Sequence, residues 1–109
     1  ATEAGIKAAV PGATTLDIFN TMNKIIEEGG ALGNNVGRLG HGLGLQLTEP
    51  PSHRLEEETV IKENMVLTIE PGMEYEKDKM LVHEENIVIH KDGAELITKR
   101  APREIPIIK

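Results

Sequence analysis

His41, Glu70 and Glu84 are the residues of this chain best suited to carry chemistry. His41 lies inside Gly-His-Gly-Leu-Gly (40–44), Glu70 inside Thr-Ile-Glu-Pro-Gly (68–72), and Glu84 inside His-Glu-Glu-Asn (83–86). One imidazole and two carboxylates make a partial ligand set for hard or borderline divalent cations, since oxygen donors favour the former and imidazole the latter. Glycines 40, 42 and 44 leave no side chains beside the imidazole, so backbone or substrate can approach closely. Taken alone, Gly-His-Gly is better read as a Gly-rich edge strand with a surface histidine.

The elements that must position these groups are legible from periodicity and punctuation. Residues 2–10 read as a helix stopped by Pro11 and Gly12. Thr14 and Asp17 stand at capping-box spacing before a second helix over Leu16–Glu28. In that helix Ile18, Phe19, Met22, Ile25 and Ile26 form one apolar stripe, and Gly29 and Gly30 end it. Residues 31–40 are too glycine-rich for regular structure. Strands are expected at 41–47, 65–70, 81–90 and 94–98, with turns at 49–52, 62–64, 76–79 and 91–93. Helices followed by a run of strands imply an α+β domain, with helices on one face of an antiparallel sheet.

Strand alternation sorts the carboxylates. In 65–70, Val66, Thr68 and Glu70 share a face opposite Met65, Leu67 and Ile69. In 81–90, Glu84 lies with Val82, Asn86 and Val88, whereas Glu85 lies with Leu81, His83, Ile87 and Ile89. Only one of the two can enter a given site, and parity alone does not choose. His53, beside Pro50, Pro51 and Ser52, reads as a loop residue, with substrate contact as the alternative. His83 is expected to be structural, His90 solvated, and Glu56–Glu58 a solvated turn. The tail 101–108 is too proline-broken for a helix and reads as an extended strap or an interface segment.

Composition excludes several function classes. The 109 residues carry a formal charge of −6, with no Lys/Arg cluster of the kind nucleic acids require. The lack of cysteine excludes disulfides and thiol catalysis. With one Phe, one Tyr and no Trp, the core must be aliphatic. No run of about 18 apolar residues is present, so a soluble, cytoplasmic protein without membrane contact is expected.

The Gly40–Gly44 motif, the segment 64–72, and Glu84–Ile89 before Asp92 and Gly93 resemble, in that order, sheet segments of the creatinase/prolidase/methionine aminopeptidase family, the pita-bread metallohydrolases. The 29 positions from His41 to Glu70 and the 14 from Glu70 to Glu84 agree with that family's spacing, which selects Glu84 over Glu85. The resemblance implies a partial pita-bread fold: a curved antiparallel sheet, residues 1–109 being the C-terminal portion of the catalytic domain, without the upstream segment that carries two further aspartate ligands. It implies His41, Glu70 and Glu84 as metal ligands, Glu70 also as the catalytic proton shuttle, and Glu84 as the bridge between two ions. Two divalent cations (Mn, Co, Fe or Zn) are implied for the full-length parent, and at most one weakly held ion with no useful turnover for these residues alone. The substrate would be a small peptide, as in Xaa-Pro dipeptidases, or an amide-containing metabolite.

Two positions depart from the family's peptidase pattern. Thr48 stands where peptidase members place a second, substrate-contacting histidine, and Val82 stands where many prolyl-peptidase members have arginine. Thr48 is thus the position to test for substrate binding, together with His53. The departures keep two alternatives open: a lyase or metal-free creatinase-like hydrolase on the same fold, and a non-catalytic binding module. An unpaired sheet edge left by absent upstream strands would favour a homodimer.

Overall fold

The computed structural model describes residues 1–33 and 37–109. Positions 34–36 of the expected loop lie outside the described residues. Helix α1 spans Thr2–Ala8, shorter than expected, because Pro11 disfavours helical backbone at Val10 and the chain leaves the helix at Ala9. Helix α2 spans Thr15–Glu28 and opens on the expected capping box. The Thr14 hydroxyl accepts from the Asp17 N–H at 3.1 Å, and the Asp17 carboxylate accepts from the Thr14 N–H at 2.8 Å. Ile18, Phe19, Met22 and Ile26 are buried, whereas Ile25 falls at the margin of the stripe and is exposed.

Seven strands follow among the described residues: β1 (His41–Gly42), β2 (Glu49–Ser52), β3 (Val66–Ile69), β4 (Gly72–Glu76), β5 (Lys79–Val82), β6 (Glu85–His90) and β7 (Gly93–Leu96). Five form an antiparallel sheet in the order β2-β1-β3-β6-β7, and β4 pairs with β5 in a separate hairpin. Leu67 and Ile69 of β3 and Ile87 and Ile89 of β6 are fully buried in one cluster with Ile18, Met22 and Ile26 of α2. Each such side chain contributes about 1.5–3 kcal/mol of transfer free energy. This aliphatic face fixes the sheet's register, and with it the side chains on the reverse.

Strand bounds depart from the sequence reading in four places, one of them β4, where no strand was expected. The strand expected at 41–47 stops at Gly42, because the Glu49 carboxylate accepts from the Gln46 N–H at 2.8 Å and closes a turn, leaving Leu45 and Leu47 exposed. The Glu-Pro-Pro-Ser turn expected at 49–52 is instead edge strand β2, where missing proline N–H groups are tolerated. The single strand expected over 81–90 is two: β5 belongs to the hairpin with β4, and the chain re-enters the main sheet only at Glu85. No helix among the described residues is long and apolar enough to cross a membrane.

Candidate metal centre

Three strands meet where the candidate ligands lie. Glu70 follows β3 directly and Glu84 immediately precedes β6. Ile69 pairs with Glu85 across these strands, so continuing the register one step sets Glu70 opposite Glu84. On the other side of β3, Gly42 pairs with Leu67, which brings His41 level with Thr68. The His41 N–H donates to the Thr68 hydroxyl at 3.0 Å, and the Glu70 N–H donates to the Leu39 carbonyl at 2.9 Å. Both candidate ligands are therefore tied by their own backbone.

The imidazole is oriented as a ligand must be. His41 Nδ1 lies 2.8 Å from the Gly42 carbonyl. A proton donated there leaves Nε2 with a free lone pair. Nε2 stands 3.6 Å from a Glu70 carboxylate oxygen. One donor atom from each of His41, Glu70 and Glu84 lies within 4.8 Å of the others, near the spacing of donors that share an ion at about 2.0–2.2 Å each. Among the described residues no Lys or Arg forms an ion pair with Glu70 or Glu84. Two carboxylates brought together without a counter-cation repel each other, so this donor set fits a divalent cation.

The glycines act through backbone approach. Gly40 has φ +144°, and a side chain there would run into the Thr68 carbonyl and the His53 ring. A side chain at Gly42 would meet the Pro50 carbonyl. Only glycine lets β1 sit this close to both neighbours.

Glu85 faces away from the triad and is 1 % exposed. Its carboxylate accepts from the Thr98 hydroxyl at 2.6 Å, the Ala101 N–H at 2.9 Å and Arg100 Nη1 at 3.0 Å, with His83 Nε2 at 3.1 Å. Burial pushes its pKa up, but these partners outweigh burial and hold it at about 2. His83 belongs to this network, as its strand parity suggests.

The remaining positions are scattered. His53 is not an open loop residue: it is fully buried behind Gly40, and neither ring nitrogen has a hydrogen-bond partner. Burial lowers its pKa to about 4, opposed by the nearby Thr68 carbonyl and reinforced by His41. Thr48 is exposed on the loop between β1 and β2. His90 pairs with Glu95 at the surface, Glu56 and Glu58 are exposed with Glu57 half-buried, and the tail 101–109 is exposed. Sequence reasoning missed Arg38, which lines a recess together with Glu70. Its one signal was a lone cation three positions before His41.

Residues 1–92 match metallopeptidase family M24. The chain belongs to that family. This M24 chain is 38% identical over 94 residues to the Xaa-Pro dipeptidase of Pyrococcus furiosus, covering 86% of this chain and 27% of that protein. Its fold superposes on the prolidase of Pyrococcus horikoshii OT3 with a TM-score of 0.86 at 35% identity, over 95% of this chain and 30% of that one. The X-Pro aminopeptidase of Thermotoga maritima gives 0.84 at 32% identity, over 98% and 30%. The fold is thus a pita-bread fragment, and the chain spans less than a third of each of these relatives.

Proposed function

We propose that this chain supplies the C-terminal ligands of a dinuclear, metal-dependent hydrolase that cleaves an amide bond. The substrate is a dipeptide of the Xaa-Pro kind or a small amide-containing metabolite. The convergence of His41, Glu70 and Glu84 within 4.8 Å carries this reading, supported by membership of a metallopeptidase family. His41, Glu70 and Glu84 hold the cations, with Mn, Co, Fe and Zn all compatible with one imidazole and two carboxylates. Bound cations supply Lewis acidity and make water a nucleophile near neutral pH. Glu70 takes a proton from the attacking water and delivers it to the amide nitrogen as the C–N bond breaks, giving a carboxylic acid and an amine. The Gly42 carbonyl and the Thr68 hydroxyl keep His41 in place during turnover.

Residues 1–109 alone hold at most one ion weakly and do not turn over, because three donors leave a second cation without carboxylates. Residues 1–109 alone pair as a homodimer through the sheet edge, which sedimentation would test directly, and the complete protein works in the cytoplasm. Incubating the complete, Mn²⁺-loaded protein with alanyl-proline should release proline, and Glu70→Gln should abolish release while the fold persists. Release that survives Glu70→Gln would overturn the role given to Glu70.

Thr48 and Val82 favour one other reading, a lyase or a metal-free hydrolase on this fold. Activity that persists after chelation would select the metal-free hydrolase. Elimination products without uptake of water would select the lyase. A non-catalytic module would show neither activity, although it would have no chemical need for the three converging donors.

A further inference from the structure

His53 is a buried polar group that the proposed chemistry leaves unused. Its side chain is fully buried, and neither ring nitrogen has a hydrogen-bond partner among the described residues. Burying such atoms unpaired destabilises a fold, so an aliphatic residue of similar size would serve packing better. The main chain of His53, by contrast, is tied to the segment that enters β1. Its N–H donates to the Gly40 carbonyl at 3.0 Å, and its carbonyl accepts from the Leu39 N–H at 2.8 Å. The ring reaches from there toward β3, where it and the Thr68 carbonyl crowd the space that Gly40 leaves by having no side chain. His53 therefore braces the chain just before His41 against β3.

Thr68 is the residue against which His41 is held. Gly42 pairs with Leu67, so His41 faces Thr68, and regular antiparallel pairing offers the Thr68 carbonyl to the His41 N–H. The Thr68 hydroxyl competes for that N–H at 3.0 Å. Which oxygen wins sets how His41 stands against β3, and with it the reach of Nε2 toward Glu70, now 3.6 Å away. A second donor on the carbonyl would settle the competition for the hydroxyl, and the His53 ring is placed to supply one. Burial keeps that ring neutral at ordinary pH, so it carries one N–H and one lone pair. We infer that His53 is a positioning residue of the metal centre: a modest turn of its ring puts an N–H on the Thr68 carbonyl, which leaves the Thr68 hydroxyl to the His41 N–H and fixes the imidazole that faces Glu70. This rests on the metal-dependent reading above. The nitrogen still unpaired is then the stability cost of a better-held ligand.

The test asks whether His53 and Thr68 act as one device. Wild type, His53→Leu, Thr68→Val and the double variant of the complete protein are compared. His53→Leu keeps the bulk and removes the donor, and Thr68→Val removes the hydroxyl alone. Mn²⁺ affinity is read by calorimetry, folding by melting curves at pH 7, and the His41 amide resonance by NMR of the metal-free protein. His53→Leu is expected to melt close to or above wild type yet bind Mn²⁺ about tenfold more weakly, a combination that a packing role does not produce. His53→Gln, which keeps an N–H donor, should recover part of the affinity. Thr68→Val should weaken Mn²⁺ binding and displace the His41 resonance when His53 is present, and do little of either once it is leucine. His53→Met takes the place of His53→Leu in this scheme if the leucine variant does not fold. Wild-type affinity in His53→Leu, or losses that simply add in the double variant, would overturn the inference and leave the hydrolase reading standing. If wild type binds no Mn²⁺, the hydrolase reading falls and the amide resonance decides alone. A displacement by Thr68→Val that requires His53 then supports the positioning role, and one that is unchanged without His53 overturns it.

Discussion

Glu84 and Glu85 are adjacent in the chain, yet one joins the candidate metal centre and the other is sealed into a hydrogen-bonded network on the opposite side. The break between β5 and β6 consists of His83 and Glu84, Glu85 opens β6, and pairing of Ile69 with Glu85 fixes which way each points. Two carboxylates with the same chemistry therefore have separable roles. Glu84→Gln should lower Mn²⁺ affinity at least tenfold while leaving metal-free stability unchanged or slightly raised, because it removes repulsion with Glu70. Glu85→Gln should do the opposite. It should cost about 2–3 kcal/mol by weakening four interactions of a buried charge, with metal binding retained by the folded protein. Calorimetry and urea melts on both variants separate the two effects.

Stability should fall in acid in two steps. The folded His53 has a pKa of about 4 against an ordinary 6.5, so between these values the unfolded chain takes up a proton that the folded one refuses. Stability is unaffected above pH 6.5 and declines as pH falls toward 4. Glu85 is ionised in the fold down to about pH 2 against an ordinary 4.5, so its contribution is present above 4.5 and is lost as pH falls toward 2. Each step amounts to about 3 kcal/mol. Replacing His53 by leucine should flatten the upper step and raise the thermal midpoint at pH 5, since both ring nitrogens are buried without hydrogen-bond partners. Melting curves at pH 7 and pH 5 for both proteins provide the check.

Gly40 should tolerate no side chain. Gly40→Ala combines a left-handed backbone (φ +144°) with a methyl group directed into the Thr68 carbonyl. A loss of about 3 kcal/mol is expected from strain and overpacking together. Because the displacement falls on the segment whose Thr68 hydroxyl holds the His41 N–H, Mn²⁺ affinity should drop as well. Denaturant melts and metal titration of the variant should show both losses.

How much of this was legible in the sequence differs from element to element. The second helix was, because a capping box and an apolar stripe are local signals that its packing reinforces. The opposite facing of Glu84 and Glu85 was also legible, since parity survives the break between β5 and β6. The choice between them was not legible from parity and came only from the spacing shared with the family, because it depends on the partner strand: β3 ends at Ile69 with Glu70 beyond it, and pairing across to β6 puts Glu84 in range. β2 was read as a turn because Pro50 and Pro51 signal one, whereas an edge position makes no demand on their missing N–H groups. β4 was missed because Pro71 and Gly72 read as the end of a strand, although they also begin the next. His53 and Arg38 gave no local signal. Burial of the first and the place of the second in a recess with Glu70 are properties of the packed chain.

The central claim is that His41, Glu70 and Glu84 act as one set of metal ligands, and calorimetric titration of Mn²⁺ into the complete protein tests it most directly. Wild type, His41→Ala and Glu70→Ala should be compared at pH 7, with a melting curve for each to establish folding. Two-ion binding in wild type, lost or greatly weakened in both folded variants, is the expected result. Metal binding equally tight in all three, or none in wild type, would contradict the account.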